Sequence, residues 1–169
     1  MIDFALTADA VAPQLLGCTL THAGVSIRLT EVEAYLGAED SAAHTFKGKT
    51  PRNAAMFGPP GKFYVYISYG IHRNVNIVCA PEGTGQGCLL RGGEIIEGTD
   101  IAFARRGTTD FHNLARGPGN LGKALGFTLD DNHQPIQVVE RTSEPEWVRG
   151  PRIGISKNQE AALRFWIPF

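Results

Sequence analysis

Hydrophobic and polar residues alternate along positions 25–36, which predicts a long β-strand. The apolar side changes halfway, because odd-numbered positions are apolar up to position 29 and even-numbered positions are apolar from position 32. Such a change of phase indicates a bulge or a sharp twist near Thr30 and Glu31. Residues two apart in a strand share a face, so Glu31, Glu33 and Tyr35 are expected to project together, into either solvent or a pocket.

A second strong strand pattern covers residues 63–69, and another strand is predicted at 74–79, with residues 70–73 as the connection. The first of these strands is rich in tyrosine, so the pair is expected to form an aromatic β-hairpin. In a regular strand Tyr66 and Tyr69 point to opposite faces. The two side chains are therefore expected to have different roles.

Residues 37–61 show no clear period and are predicted to form a long loop, and loops of this length are usually functional or disordered. In this loop Thr50 can cap a short helix, which would leave Arg52 beside free amides suited to a phosphate. The other elements are short: helices are predicted at 8–17, 101–106 and 114–126, and strands at 18–21, 87–91, 94–98, 137–141, 151–155 and 163–167. Together they predict an α+β fold, a single compact domain over residues 1–169. We expect a curved, mainly antiparallel sheet, flanked by short helices, with a protruding aromatic hairpin.

The composition suits one globular domain, since 43% of the 169 residues are hydrophobic and 20% are charged. No apolar run approaches the roughly 20 residues that a membrane helix needs, and the first residues lack a basic signal-peptide region. The three cysteines have neither C-x-x-C nor zinc-site spacing, so reduced, buried thiols are expected. We therefore expect a soluble, cytoplasmic protein without membrane contact.

The net charge is only −1, but the charges are unevenly distributed. No acidic residue occurs between Asp40 and Glu82, a window that holds five lysines and arginines and two histidines. A locally basic block can attract a polyanion even when the total charge is near zero. A solvated basic face explains the block equally well, so charge alone leaves a nucleic-acid partner open.

The Glu31-Val-Glu33 strand, followed by His44, permits three interpretations. The two acids could ligate a divalent metal, although no further acid follows Asp40 for over forty residues. One carboxylate could act as a general base on water, with aromatic side chains excluding solvent and binding a flat ring. Alternatively, both acids form ion pairs with Arg28 or surface lysines. Taken alone, the pattern favours the ion pairs.

Several motifs occur in order along the chain: Glu31-Val-Glu-Ala-Tyr-Leu-Gly-Ala-Glu-Asp-Ser-Ala-Ala-His44, Thr50-Pro-Arg-Asn53, Phe63-Tyr-Val-Tyr-Ile-Ser-Tyr-Gly70, Asn74-Val-Asn-Ile77, Cys88-Leu-Leu-Arg-Gly92, Arg116-Gly-Pro-Gly-Asn-Leu121, Gly150-Pro-Arg-Ile-Gly154 and Leu163-Arg-Phe-Trp166. No single motif is decisive, but their ordered combination closely resembles the alkyladenine (3-methyladenine) DNA glycosylase family over most of the chain. The resemblance implies a base-excision repair enzyme. Such an enzyme flips an alkylated purine out of double-stranded DNA and hydrolyses its N-glycosidic bond, which leaves an abasic site.

The resemblance also implies roles for individual residues. Glu33 becomes the general base that activates water, and Glu31 a supporting residue. The implied base pocket has Tyr35, His44 and Tyr66 as its walls and Asn76 on its floor, where it disfavours a guanine amino group. The implied DNA contacts are Thr50, Arg52, Tyr69, Ile71, Arg73 and Arg91, with Tyr69 as the wedge that fills the vacated base stack.

Further expectations follow from this resemblance. The enzyme would approach DNA from the minor groove, act as a monomer and need no cofactor or metal. It would lack lyase activity, because no lysine is evident beside the pocket. Two alternatives stay open, namely a damaged-DNA-binding module without catalysis and a metal-dependent phosphodiesterase that uses Glu31, Glu33 and His44. The residues do not distinguish cationic alkylpurines from hypoxanthine or ethenoadenine as substrates.

Overall fold

Strand β2 (Val25–Tyr35) is the central strand of the computed structural model, which describes residues 1–168. It pairs antiparallel with β5 (Gln86–Glu97) along most of its length. Its other edge is shared, because β1 (Thr19–His22) pairs with its first half and β8 (Arg164–Trp166) with its second half. The long alternating segment of the sequence thus forms the strand on which the sheet is built.

The other strands extend the sheet on both sides. Strands β3 (Phe63–Ser68) and β4 (His72–Cys79) form the aromatic hairpin, and β4 pairs with β5. Strand β6 (Val138–Val139) pairs with β1, and β7 (Val148–Gly150) pairs with β8. The result is an open antiparallel sheet of eight strands, in the order β3-β4-β5-β2-β1-β6, with β8 and β7 attached at β2. The predicted α+β class is confirmed, whereas the protrusion of the hairpin stays a prediction.

Three short helices accompany the sheet: α1 (Ala8–Leu15), α2 (Thr99–Arg106) and α3 (Pro118–Ala124). Helix α1 buries positions 8, 11, 12 and 15, the spacing of a single helix face. Helix α3 packs closely on β4, since a Cβ atom at Gly122 would overlap the main-chain carbonyl of Arg73. No helix within residues 1–168 is long and apolar enough to cross a membrane.

Three bulges interrupt the ladder between β2 and β5. One lies near its end, where Ile96 is an extra residue on β5 between the pairs that Ser26 and Ile27 form. The other two lie near its middle, one on each strand. Thr30 is an extra residue on β2, between the pairs that Leu29 and Glu31 form with β5. Arg91 is an extra residue on β5, opposite the step from Glu31 to Val32. The irregularity predicted near Thr30 and Glu31 is confirmed, and the sequence analysis did not predict its counterpart at Arg91.

The phase change separates the two faces of the sheet. One face carries the apolar core, which includes Leu20, Ile27, Leu29, Val32, Ala34, Val65, Ile77 and Leu90, all at most 1% exposed. On the other face, beyond the bulges, Glu33 lies between Leu89 of β5 and Arg164 of β8. The three cysteines are buried free thiols, as expected.

Most predicted elements occur with ends within two residues of the predicted ones. The exceptions are informative. The strand predicted at 151–155 is wrong, because the strand there is β7 and the chain then leaves the sheet as an irregular segment. The predicted strands 87–91 and 94–98 are one bulged strand, and the helix predicted at 114–126 begins only at Pro118, which suits the first helical turn.

The predicted loop at 37–61 is confirmed as irregular, with 3₁₀ turns at Gly37–Glu39 and Ala54–Phe57. Thr50 does not cap an α-helix. Its hydroxyl accepts a hydrogen bond from the Asn53 N–H, and the Asn53 side chain accepts one from the Thr50 N–H. This reciprocal pair forms a closed turn that precedes the second 3₁₀ turn.

Candidate active site

A cavity of about 410 Å³ lies on the polar face of the sheet. Tyr64 on β3, Asn76 on β4 and Leu89 on β5 are directly paired across the strands and line this cavity, and Glu33 on β2 continues the row. Directly opposite residues of antiparallel strands share a face, so the ladder holds these four side chains in register. The cavity is thus lined by aromatic and amide groups, which suit a flat polar ring.

Glu33 is fully buried and lies directly behind the cavity wall. Its Oε1 accepts a hydrogen bond from the Tyr35 hydroxyl at 2.9 Å, and its Oε2 accepts one from the Ile153 N–H at 2.8 Å. The Nε of Arg91 lies 3.8 Å from Oε2. Burial raises the pKa of Glu33, and the Arg91 charge and the two hydrogen bonds oppose this rise only in part. Such a carboxylate is a stronger proton acceptor once it is ionised.

Glu31 has a different environment, because its side chain is partly exposed and bound by two arginines. Its Oε2 lies 3.2 Å from the Nη1 of Arg164 and 3.4 Å from the Nε of Arg91. Arg91 is the bulged residue of β5, and its side chain lies between the two glutamates. Arg91 and Arg164, rather than Arg28 or a surface lysine, are therefore the ion-pair partners of Glu31.

Tyr35, His44 and Tyr66, the walls implied by the resemblance, line the cavity together with Asn76. The His44 ring stands edge-on to Tyr66, with 4.2 Å between the ring centroids. Burial raises the pKa of both tyrosines. Loss of water against the aromatic rings lowers the pKa of His44, and the Arg52 charge lowers it further. All three side chains are thus uncharged near neutral pH.

Three cavity residues of the hairpin were not assigned from the sequence, namely Tyr64, Ser68 and Asn74. The Nδ2 of Asn74 donates to the Tyr66 hydroxyl at 3.1 Å, and the Nδ2 of Asn76 donates to the Tyr64 carbonyl at 3.3 Å. These bonds fix the orientation of Tyr66 in the wall and of Asn76 on the floor. The two-residue period of a strand is the signal that could have identified the three unassigned residues, since each lies two positions from an assigned residue.

Tyr69 lies in the hairpin turn, one residue beyond the end of β3. Its backbone is left-handed, with φ 51°, and the residue is 89% exposed. Because the strand ends at Ser68, Tyr66 and Tyr69 both border the cavity. The prediction of opposite faces was made for a regular strand, and the strand does not extend to Tyr69. Ile71 follows in the same turn region and is 73% exposed.

A second cavity, of about 380 Å³, shares His44 and Tyr66 with the first and contains Thr50 and Arg52. The Nη2 of Arg52 donates to the Ile67 carbonyl at 2.9 Å. The arginine is therefore attached to the hairpin. The sequence had instead predicted a position beside the free amides at the start of a helix. Of the other implied DNA contacts, Arg91 lines the main cavity, whereas Arg73 is exposed on β4 and lines neither cavity.

The irregular segment after β7 closes one side of the main cavity, which residues 153–157 line. No site residue was expected in this segment and no lysine was expected beside the pocket, but Lys157 is among the lining residues. The buried pair of Arg152 and Asp40 anchors this segment. The motif Gly150-Pro-Arg-Ile-Gly154 was the available signal, and interpreting it as a strand hid its contribution.

Both acids of the Glu31-Val-Glu33 strand face arginine, and this leaves little room for a cation between them. No group of three or more His, Cys, Asp or Glu side chains that could hold a metal ion occurs within residues 1–168. A hard divalent cation needs several free oxygen ligands. The arrangement thus favours acid–base chemistry at a single carboxylate over metal ligation.

Comparison with known proteins agrees with this geometry. The family model described as methylpurine-DNA glycosylase matches residues 2–168. Relatives provisionally named 3-methyladenine DNA glycosylase occur in Corynebacterium efficiens, 68% identical over 99% of this chain and 90% of the relative, and in Cutibacterium acnes, 49% identical over 99% and 95%. A relative of the same name in Mycobacterium leprae is 44% identical over 96% of this chain and 83% of the relative. The chain belongs to the methylpurine-DNA glycosylase family.

Proposed function

We propose that this chain acts as one glycosylase domain over residues 1–169 that removes alkylated purines such as 3-methyladenine from DNA. The observation that carries the proposal is the position of Glu33. It is a fully buried carboxylate, held by the Tyr35 hydroxyl and the Ile153 N–H at the wall of an aromatic cavity. Family membership and the names of the relatives support the reaction and the substrate class.

Glu33 is the general base of this mechanism. It accepts a proton from a water molecule as the water oxygen attacks C1′ of the flipped nucleotide, and the base leaves with the electrons of the C1′–N bond. Each carboxylate oxygen of Glu33 accepts one hydrogen bond and retains a lone pair, so the two hydrogen bonds orient the group without occupying it. Its negative charge also stabilises the developing oxocarbenium ion.

The base pocket binds the flipped purine between uncharged aromatic side chains. Alkylation at a ring nitrogen makes the purine cationic, and the electron-rich faces of Tyr35 and Tyr66 attract it by about 2 kcal/mol or more in a dry site. The neutral state of His44 avoids repulsion of that cation. Asn76 on the floor disfavours the amino group of an unmodified guanine, and a cationic base leaves with little acid assistance.

The DNA-binding surface follows the basic block and the hairpin turn. In this proposal Tyr69 enters the base stack from the minor groove and Ile71 lies beside it. Thr50, Arg52, Arg73 and Arg91 contact the DNA backbone without reading its sequence. The exposure of Tyr69 and Ile71, and the attachment of Arg52 to the hairpin, support this assignment. We further propose that the enzyme acts as a monomer in the reducing interior of the cell, in keeping with its three free thiols.

The enzyme is monofunctional in this proposal, because the geometry at Glu33 suits attack by water. Lys157 is exposed at the cavity wall, whereas Glu33 is fully buried behind it. A lyase would instead need an amine at C1′. Product DNA should therefore contain intact abasic sites.

Replacement of Glu33 by Gln tests the mechanism. Duplexes that contain 3-methyladenine, 7-methylguanine, hypoxanthine or ethenoadenine are incubated with each protein in the presence of a chelator, and free base is measured. We expect the wild type to release alkylated adenine and the variant to lose about 100-fold or more of that rate while still binding damaged duplex. Full base release by the variant would exclude Glu33 as the base. Binding without base release by the wild type would favour a non-catalytic damage-binding module instead.

A further inference from the structure

A buried ion pair connects the loop after β2 to the segment after β7. The Arg152 guanidinium donates to both carboxylate oxygens of Asp40, at 2.6 and 2.8 Å, and both side chains are fully buried. Asp40 also accepts hydrogen bonds from the N–H groups of Leu36 and Ala42 and from the side chain of Asn158. These donors lower the pKa of Asp40 to about 2, against the effect of burial. The pair is therefore charged at all physiological pH values.

Arg152 also contacts the strand that carries the proposed base. Its Nη1 donates to the Ala34 carbonyl at 3.0 Å, and its guanidinium stacks on the Tyr35 ring, 4.6 Å from the centroid. The next residue, Ile153, donates its N–H to Glu33. One buried side chain thus fixes the backbone beside Glu33, the ring of its hydroxyl donor and the segment that supplies its amide donor.

A buried ion pair is a poor device for stability alone. The desolvation of two charges offsets most of their attraction, and apolar pairs of similar volume often stabilise as well or better. A planar guanidinium that bonds in two directions and stacks on a ring is well suited to defining a position. The contacts of Arg152 converge on the two groups that hydrogen-bond to Glu33, which makes orientation of that carboxylate the best explanation for the pair.

We infer that Arg152, held by Asp40, is a positioning residue that aligns the Glu33 carboxylate through Tyr35 and the Ile153 N–H. The inference rests on the proposed role of Glu33 as the base. The groups that face Glu33 from neighbouring elements are Arg91 on β5, Arg164 on β8, and Glu31 and Tyr35 on β2. The charge of Arg152 also interacts with Glu33. Arg152→Lys keeps that charge and alters none of the other groups, so a change in the pH dependence of this variant reports on the segment that Arg152 holds.

Arg152→Lys is the main test, because it keeps the positive charge but removes the two-pronged bond and the planar stack. We expect single-turnover base release to fall about 100-fold, the loss associated with a misplacement on the order of 1 Å, while affinity for damaged duplex changes by less than about threefold. The acid limb of the rate profile should move to higher pH, because the Ile153 hydrogen bond lowers the pKa of Glu33 and would be weakened. A purely structural role would lower the Tm without moving this limb.

Two further variants keep the inference testable if Arg152→Lys does not fold. Asp40→Asn leaves the arginine in place with a neutral partner, and Asn158→Gly removes only the outer donor at a position whose φ of 50° glycine tolerates. Both should lower the single-turnover rate, Asn158→Gly by the smaller amount. Asn158→Gly changes no charge, so it should also move the acid limb to higher pH, whereas the unpaired Arg152 charge in Asp40→Asn opposes that shift. Arg149→Lys is the matched control, since Arg149 stacks on Phe165 in the neighbouring strand and should leave rate and limb unchanged.

The outcomes separate the inference from the mechanism on which it rests. If Glu33→Gln abolishes base release but the folded Arg152, Asp40 and Asn158 variants keep the wild-type rate and acid limb, the positioning role is wrong and the mechanism stands. If Glu33→Gln retains base release, the proposed base is wrong. A reduced rate with an unmoved acid limb in Arg152→Lys or Asn158→Gly would also overturn the inference, because it would indicate damage other than at Glu33.

Discussion

Glu33→Gln should increase the stability of the protein while it removes the activity. Burial raises the pKa of Glu33, so the folded state binds this proton more tightly than the unfolded state, where a glutamate titrates near about 4.3. Below that pH the carboxyl is protonated in both states and the substitution has little effect. As the pH rises, the unfolded chain ionises first, and the wild type loses stability relative to the variant until Glu33 also ionises in the folded state.

The contacts set the expected size of this effect. A glutamine retains an acceptor for the Ile153 N–H and can donate to the Tyr35 hydroxyl, so both hydrogen bonds survive in altered form. The substitution removes only the buried charge. Desolvation of that charge raises the pKa of Glu33 by more than Arg91 and the two hydrogen bonds lower it. Removal of a strained functional group of this kind commonly gains about 0.5–2 kcal/mol, and 1 kcal/mol corresponds to about 2–4 °C in Tm for a chain of this size.

Urea denaturation of the wild type and Glu33→Gln at about pH 4 and about pH 7.5 measures the effect, and the gain should appear only at the higher pH. Glu31→Gln is the matched control on the same strand face. Glu31 is bound by Arg91 and Arg164, so this variant should lose about 0.5–1 kcal/mol at the higher pH. A Glu33→Gln protein that is less stable than the wild type at about pH 7.5 would refute the conclusion that burial outweighs the partners of Glu33.

Three other predictions concern the hairpin, the cavity wall and the packing of α3. Tyr69→Ala should reduce base release from duplex DNA by about 10-fold or more, because the side chain would no longer offset the flipping cost of a few kcal/mol. The Tm should not change, because the side chain is exposed. Equal rates of the variant and the wild type on duplex DNA would contradict the wedge role. Borohydride treatment of reactions with the wild type and with Lys157→Ala should trap no covalent DNA complex, and a complex seen only with the wild type would reveal lyase activity. Gly122→Ala should lower stability by about 2 kcal/mol in thermal unfolding because of the overlap with Arg73, whereas Gly119→Ala, which meets only the movable His72 side chain, should cost less.

Local pattern was sufficient for most of the fold. The alternation along β2 predicted both the central strand and its bulge, because apolar residues must keep to one side of a sheet. The same alternation located the hairpin. It failed at residues 151–155, where Ile153 and Ile155 resemble strand residues but the segment is held by side-chain contacts with Asp40 and Glu33. Contacts between residues more than a hundred positions apart have no local signature.

The candidate site was accessible from sequence only in part. Alternation placed Glu33 and Tyr35 together, but it could not indicate that Glu33 is buried behind the cavity and Glu31 is partly exposed. That difference arises from β5, whose bulge places Arg91 between the two acids. The prediction for Tyr69 did not apply, because it assumed a regular strand through a residue whose left-handed backbone begins the turn. Charge counts likewise located the basic block without revealing that Arg52 attaches to the hairpin.

The paired bulges at Thr30 and Arg91 limit how this sequence can change over evolution. At this central defect each strand carries one extra residue, and the two cancel, so the pairs from Ile27 to Leu29 and those from Val32 to Tyr35 have the same register. Loss of one residue between Val25 and Thr30 would exchange inside and outside for the rest of β2 and bring Ala34 to the cavity in place of Glu33. We expect substitutions in this strand to be tolerated far more often than single-residue insertions or deletions. Such length changes should be accepted only as matched pairs, one on each strand.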